Sequence, residues 1–106
     1  MSKLYEMFRE FENSGYSFHE LIILSFLISL WDKNQEADSQ ILVKNLIRFS
    51  KSTIHRKLNE LRLKNIIDYQ VDYNDGRKIK IVKGSEFNNM LEDIEQLLTN
   101  IKSLIL

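Results

Sequence analysis

The chain has 106 residues, of which 43% are hydrophobic and 28% charged, with no Cys, no Pro and three Gly. That composition is ordinary for one globular domain and unlike a disordered segment. The lack of Cys excludes a disulfide scaffold, a thiolate zinc centre and a thiol redox sensor. The formal net charge is zero, yet residues 44–83 carry eleven Lys and Arg against four Asp and Glu, a surplus of +7 balanced by −7 in the other 66 residues. A basic middle between acidic ends points to a polyanionic partner.

Residues 3–13 have a helical period, with Leu4, Met7, Phe8 and Phe11 on one stripe and Glu6, Arg9, Glu10 and Glu12 largely outside it. Asn-Ser-Gly at 13–15 ends that helix. Ser17 and Glu20 have the spacing of a capping box and open a second helix, from 18 to about 33. It is apolar nearly all round and so expected to be central. Its most apolar run, 21–31, is eleven residues with Ser25 and Ser29 inside it. A membrane span needs about 20. With acidic residues where a cationic leader would stand, a cytoplasmic protein without membrane contact is expected.

Residues 32–38 read as a loop, with room for a short strand. Asp38 or Ser39 can cap a third helix over about 40–48 that buries Leu42, Val43, Leu46 and Ile47. After a turn at Phe49 and Ser50, Ser50 or Ser52 caps a fourth helix reaching about residue 64. Asn65 suits the left-handed position at its end. The period then becomes alternating. Ile67, Tyr69, Val71 and Tyr73 share one face, and Asn-Asp-Gly at 74–76 marks a hairpin turn. On the return, Ile79 and Ile81 face inward while Lys78, Lys80 and Val82 face out. Ser85 is placed to cap a last helix, 86–105.

A short helix, a tight turn, a longer helix and a basic hairpin make the layout of a winged helix-turn-helix. The expected fold is therefore α+β, mainly α. It is a single domain over 1–106, with the helix-turn-helix and wing at 39–83 and terminal dimerisation helices at 1–16 and 85–106. In the fourth helix, Ile54, Leu58 and Leu61 anchor one side to the core. Ser50, Lys51, Ser52, Thr53, His55, Arg56 and Asn59 crowd the N-terminal half, the part of a recognition helix that meets base edges. Arg56 suits guanine or phosphate and Asn59 suits adenine. Lys44, Arg48, Arg62 and Lys64 suit phosphates, which position without reading sequence. Lys78 and Lys80 of the hairpin are expected to join the DNA contacts.

These features resemble the MarR (multiple antibiotic resistance regulator) family of bacterial transcription factors over residues 17–98. The likeness rests on Ser-Lys-Ser-Thr-Ile-His-Arg-Lys-Leu-Asn-Glu-Leu at 50–61, similar to that family's recognition helix, and on Asp-Gly-Arg at 75–77, which matches the D-x-R pattern of its wing. The resemblance implies that Arg77 enters a minor groove and that Asp75 supports it, in keeping with the preference of narrow A·T-rich grooves for Arg. It also makes a small-molecule effector an option, with Tyr5, Tyr16, Phe18 and Trp31 as lining residues if they are not simply core. Asn65 stands where the family usually has Gly. The chain is shorter than typical members, which curtails the long dimerisation helices.

In the last helix Phe87, Met90, Ile94, Leu97, Ile101 and Leu104 follow a 3-4-3-4-3 spacing. Together with Leu4, Phe8 and Phe11 this seam is expected to build a homodimer that presents two wings to a two-fold related site. The alternative is that the helix folds back on its own domain. No catalytic constellation, cofactor motif or metal-ligand spacing is present; His19 and His55 are isolated. The function expected is a sequence-specific dimeric regulator, a repressor by default, bound to an AT-rich inverted repeat in double-stranded DNA. The rivals are an accessory DNA binder for plasmid or mobile-element replication or segregation, and a winged helix used for protein contact.

Overall fold

A computed structural model describes residues 2–74 and 76–105. The order of elements is α1 (Lys3–Asn13), α2 (Phe18–Asp32), α3 (Ser39–Asn45), α4 (Lys51–Leu63), β1 (Ile67–Asp72), β2 (Lys78–Lys83) and α5 (Phe87–Ile105). The protein is thus α+β and mainly helical, with one two-stranded antiparallel sheet among the described residues. No single helix among them is long and apolar enough to cross a membrane.

Local chemistry sets most boundaries. Ser17 accepts from the Glu20 amide while the Glu20 carboxylate accepts from the Ser17 amide, so the capping box at the start of α2 is formed. Asp38 caps α3 by accepting from Ile41 N–H at 2.8 Å, and Ser50 caps α4 by accepting from Thr53 N–H at 3.1 Å. Asn65 ends α4 with φ 61°. The last helix differs from expectation. It starts at Phe87, where Phe87 N–H returns to the Gly84 carbonyl, and the Ser85 side chain makes no capping bond.

The core forms where α2, α3, α4, the sheet and the start of α5 meet. Ile23, Leu24 and Leu27 of α2 pack with Leu42, with Ile54, Leu58 and Leu61 of α4, and with Ile67, Ile81, Phe87 and Met90. Each such side chain contributes about 1.5–3 kcal/mol of transfer free energy, which makes this cluster the main stabilising term. Gly84 sits hard against it. A Cβ there would stand 2.3 Å from the Asn65 carbonyl oxygen, because the segment after β2 is bonded to the end of α4 through Gly84 N–H to Ile66 O and Glu86 N–H to Asn65 O.

Two buried faces are shorter than their sequence patterns imply. Helix α3 stops at Asn45 because Leu46 leaves helical dihedrals (φ −94°, ψ 63°), and Ile47 is then 83% exposed instead of buried. On the hairpin, Ile67, Tyr69 and Ile81 meet the core, whereas Val71, Ile79 and Tyr73 are exposed. The hairpin extends past the body of the domain, so its inward face runs out of anything to cover.

Helix α1 packs antiparallel along α5, its C-terminal end beside Met90 and Asp93 and Glu10 near Asn100. Seen alone, the chain takes the fold-back option for part of its apolar seam. Met90 (1% exposed) and Leu97 (7%) are already covered within the chain and are not free to meet a second copy, which corrects their expected place in a dimer contact. Phe11, Ile94, Ile101 and Leu104 are half-buried. What stays exposed is Leu4, Tyr5 and Phe8 of α1 with Leu98 and Ile105 of α5. The chain is elongated, 55 × 27 × 25 Å, with a radius of gyration of 15.5 Å. A compact domain of this length would have about 13 Å.

Candidate nucleic-acid interface

Helix α4 divides cleanly by face. Ile54, Leu58 and Leu61 are fully buried, while Lys51, Ser52, His55, Arg56 and Asn59 are exposed. The exposed set falls at i, i+1, i+4, i+5 and i+8, one continuous stripe of hydrogen-bond donors opposite the core. Lys51 and His55 also line a shallow cleft of about 330 Å³ between α3 and α4, completed by Ser39, Gln40, Val43 and Lys44. Gln40 was not singled out from the sequence. Its only signal is its place one helical turn before Lys44.

Not every candidate residue is free. The Ser50 hydroxyl accepts from the Thr53 amide, is 2.8 Å from the Thr53 hydroxyl to which it donates, and is hydrogen-bonded with the Ser52 hydroxyl at 3.2 Å, so these side chains hold the helix start together. Arg62 turns toward the hairpin, its guanidinium 4.8 Å from the centre of the Tyr69 ring and its Nε 3.8 Å from Asp68. Burial raises the Tyr69 pKa, and the Arg62 charge works against that rise. Lys64, expected to meet phosphate, is engaged within the chain. Its ammonium lies 2.8 Å from Glu20, and it donates a longer bond to the Gly15 carbonyl.

That pair fixes the end of α4 to the turn between α1 and α2. Glu20 is only 4% exposed, and burial by itself would raise its pKa; the hydrogen bond and charge of Lys64, with two bonds from Ser17, outweigh burial and hold it below the usual range. Tyr16, beside the pair, has its pKa raised by burial and then by the Asp93 carboxylate. No sequence pattern announced this junction.

The hairpin cations are also engaged. Lys80 Nζ is 2.8 Å from Glu36 and 3.3 Å from Asp72, and Lys78 Nζ is 3.5 Å from Asp38 and 3.9 Å from Glu36. Glu36 first, then Asp72, raise the Lys80 pKa. Arg77, at the hairpin tip, is exposed, has φ 62° and forms no ion pair with a described residue. Asp75, expected to support it, lies outside the described residues. Among the described residues Lys44, Arg48, Lys51 and Arg56 likewise form no ion pair, and these four lie near one another in sequence on α3, the turn and the start of α4; Lys3, Arg9, Lys33, Lys83 and Lys102 are also without an ion pair there.

The four aromatics considered for an effector cleft have separate neighbours. Trp31 donates its indole N–H to the Ile81 carbonyl and meets Phe87 edge-on; Phe18 lies against Phe11; Tyr16 lies by Lys64; and Tyr5 is exposed. No protein-family model, curated protein or solved structure matches the chain.

Proposed function

We propose that the chain is a DNA-binding regulator of winged helix-turn-helix type, similar in plan to MarR proteins, with α4 as recognition helix and the β1–β2 hairpin as wing. The observation that carries this reading is the stripe of Lys51, Ser52, His55, Arg56 and Asn59, exposed on a helix anchored to the core by the buried Ile54, Leu58 and Leu61. A helix held rigidly by one face and lined with donors on the other suits the major groove, where base edges offer a readable pattern. Lys44, Arg48 and Lys51 beside it supply charge for phosphates. Arg77, exposed at the wing tip, is on this reading the residue that enters the adjacent minor groove.

The elongated shape and the exposed Leu4, Tyr5, Phe8, Leu98 and Ile105 support a homodimer built on the α1–α5 pair, with the outer side of that pair as the contact. Two α4 helices would then address a two-fold related site. Titrating a labelled AT-rich duplex at several salt concentrations tests the reading. Binding whose logarithm falls steeply and linearly with log salt is the expected result, and an absence of binding at low salt counts against it.

One observation favours a second reading, protein contact through the wing. Val71 and Ile79 pair across the hairpin and are both exposed, with Tyr73 beyond them. On that reading an Ile79→Ser variant loses a protein partner and keeps whatever DNA affinity the wild type has.

A further inference from the structure

Ala37 pairs with Ile81 at the free edge of β2, with Ile81 N–H donating to the Ala37 carbonyl at 2.7 Å. Both residues face the core. Because faces alternate along extended chain, their neighbours Glu36 and Asp38 fall on the outer face of the hairpin, where Lys78 and Lys80 also lie. Asp72, paired with Lys78 in the sheet, joins the same face. Two lysines thus meet three carboxylates within 4 Å, and the local charge of this part of the hairpin is −1, although the surrounding sequence is strongly basic.

We infer that the segment carrying Glu36 and Asp38 acts as an electrostatic brake on the wing, cancelling Lys78 and Lys80 and confining phosphate contact to the α3–α4 face and the tip at Arg77. This inference rests on the DNA-binding reading and adds its regulation: intramolecular carboxylates occupy the ammonium groups that a phosphate backbone would otherwise take. Glu36 is the adjustable member. It touches both lysines and is half exposed, and it caps no helix, unlike Asp38. DNA must compete with it for the wing, which lowers affinity and leaves sequence reading by α4 untouched.

The test compares wild type, Glu36→Gln, Glu36→Lys and the control Glu92→Gln by anisotropy with one AT-rich duplex across a salt series. Glu92 is an exposed acid on α5, so its variant makes the same change in net charge away from the wing. The brake predicts binding about 2–3-fold tighter for Glu36→Gln, from removal of one charge several ångströms from a phosphate. It predicts a larger gain for Glu36→Lys, with a log–log salt slope steeper by about 0.9 for each phosphate newly engaged. Glu92→Gln stays near wild type. If wild type binds and both Glu36 variants merely track Glu92→Gln, the brake is wrong and the DNA reading stands. If neither wild type nor Glu36→Lys binds at low salt, the DNA reading falls and takes the brake with it.

Discussion

The Lys64 ammonium lies 2.8 Å from a Glu20 carboxylate that is almost wholly buried, which ties the last turn of α4 to the first turn of α2 across 44 positions of sequence. Removing one partner leaves the other's desolvation uncompensated. Lys64→Met is therefore expected to lower stability by about 1–3 kcal/mol, read as a shift in urea midpoint at neutral pH with unchanged m-value.

The same pair sets a pH dependence. The folded-state pKa of Glu20 is depressed, so its contribution is fully present above the pKa of the unfolded chain and is lost as pH falls through the folded value. Glu20→Gln should flatten the acid limb of the stability curve below the ordinary carboxylate range. An acid limb identical to wild type would show that the pair is energetically idle.

Gly84 admits no side chain. A Cβ would meet the carbonyl oxygen and carbon of Asn65, which are backbone atoms and cannot swing aside. Gly84→Ala should cost about 1–3 kcal/mol or more by overpacking, seen as a lower thermal midpoint. The open space around Gly15 makes it the contrasting site, where the cost of Ala comes from its φ of +83° alone.

Arg77 occupies a left-handed conformation that costs a non-glycine residue about 1–2 kcal/mol. Arg77→Gly should leave stability equal or slightly raised, since the relief is partly offset by the greater freedom of Gly in the unfolded chain. Both Arg77→Gly and Arg77→Ala should weaken DNA binding without changing oligomeric state. A gain in stability with intact DNA affinity would remove Arg77 from the interface.

Phe8 is exposed on the outer side of the α1–α5 pair. Phe8→Glu should convert a dimer to monomer in sedimentation equilibrium at micromolar concentration. A wild-type chain that is already monomeric there would refute the dimer.

Sequence legibility followed range along the chain. The capping box at Ser17, the left-handed Asn65 and the buried side of α4 are written within one or two helical turns and are formed; of the paired cap options, Asp38 and Ser50 are the ones used, while Ser85, equally local, caps nothing. Ile47 was misplaced because its spacing continues the α3 pattern for two residues after the backbone has left the helix. Met90 and Leu97 fit a dimer seam equally well as an intrachain one, since heptad spacing does not say whose surface covers it. The junction at Lys64 and the carboxylates around Lys78 and Lys80 were invisible for a simpler reason. Glu20 with Lys64, and Glu36 and Asp38 with the hairpin lysines, are forty or more positions apart and no periodicity links them; Asp72 alone is local, eight positions from Lys80 in the same hairpin. Of the donor stripe, Lys51, Ser52, His55, Arg56 and Asn59 were legible together because one helix orders them all.

The most direct measurement is selection from a pool of AT-rich duplexes, followed by sequencing of the retained DNA, with wild type and Arg56→Ala side by side. Wild type should enrich an inverted repeat, and Arg56→Ala should lose about 1–3 kcal/mol of discrimination at one base pair in each half while remaining folded. If wild type retains no DNA at low salt, or if both proteins retain the same sequences equally, α4 is not a recognition helix.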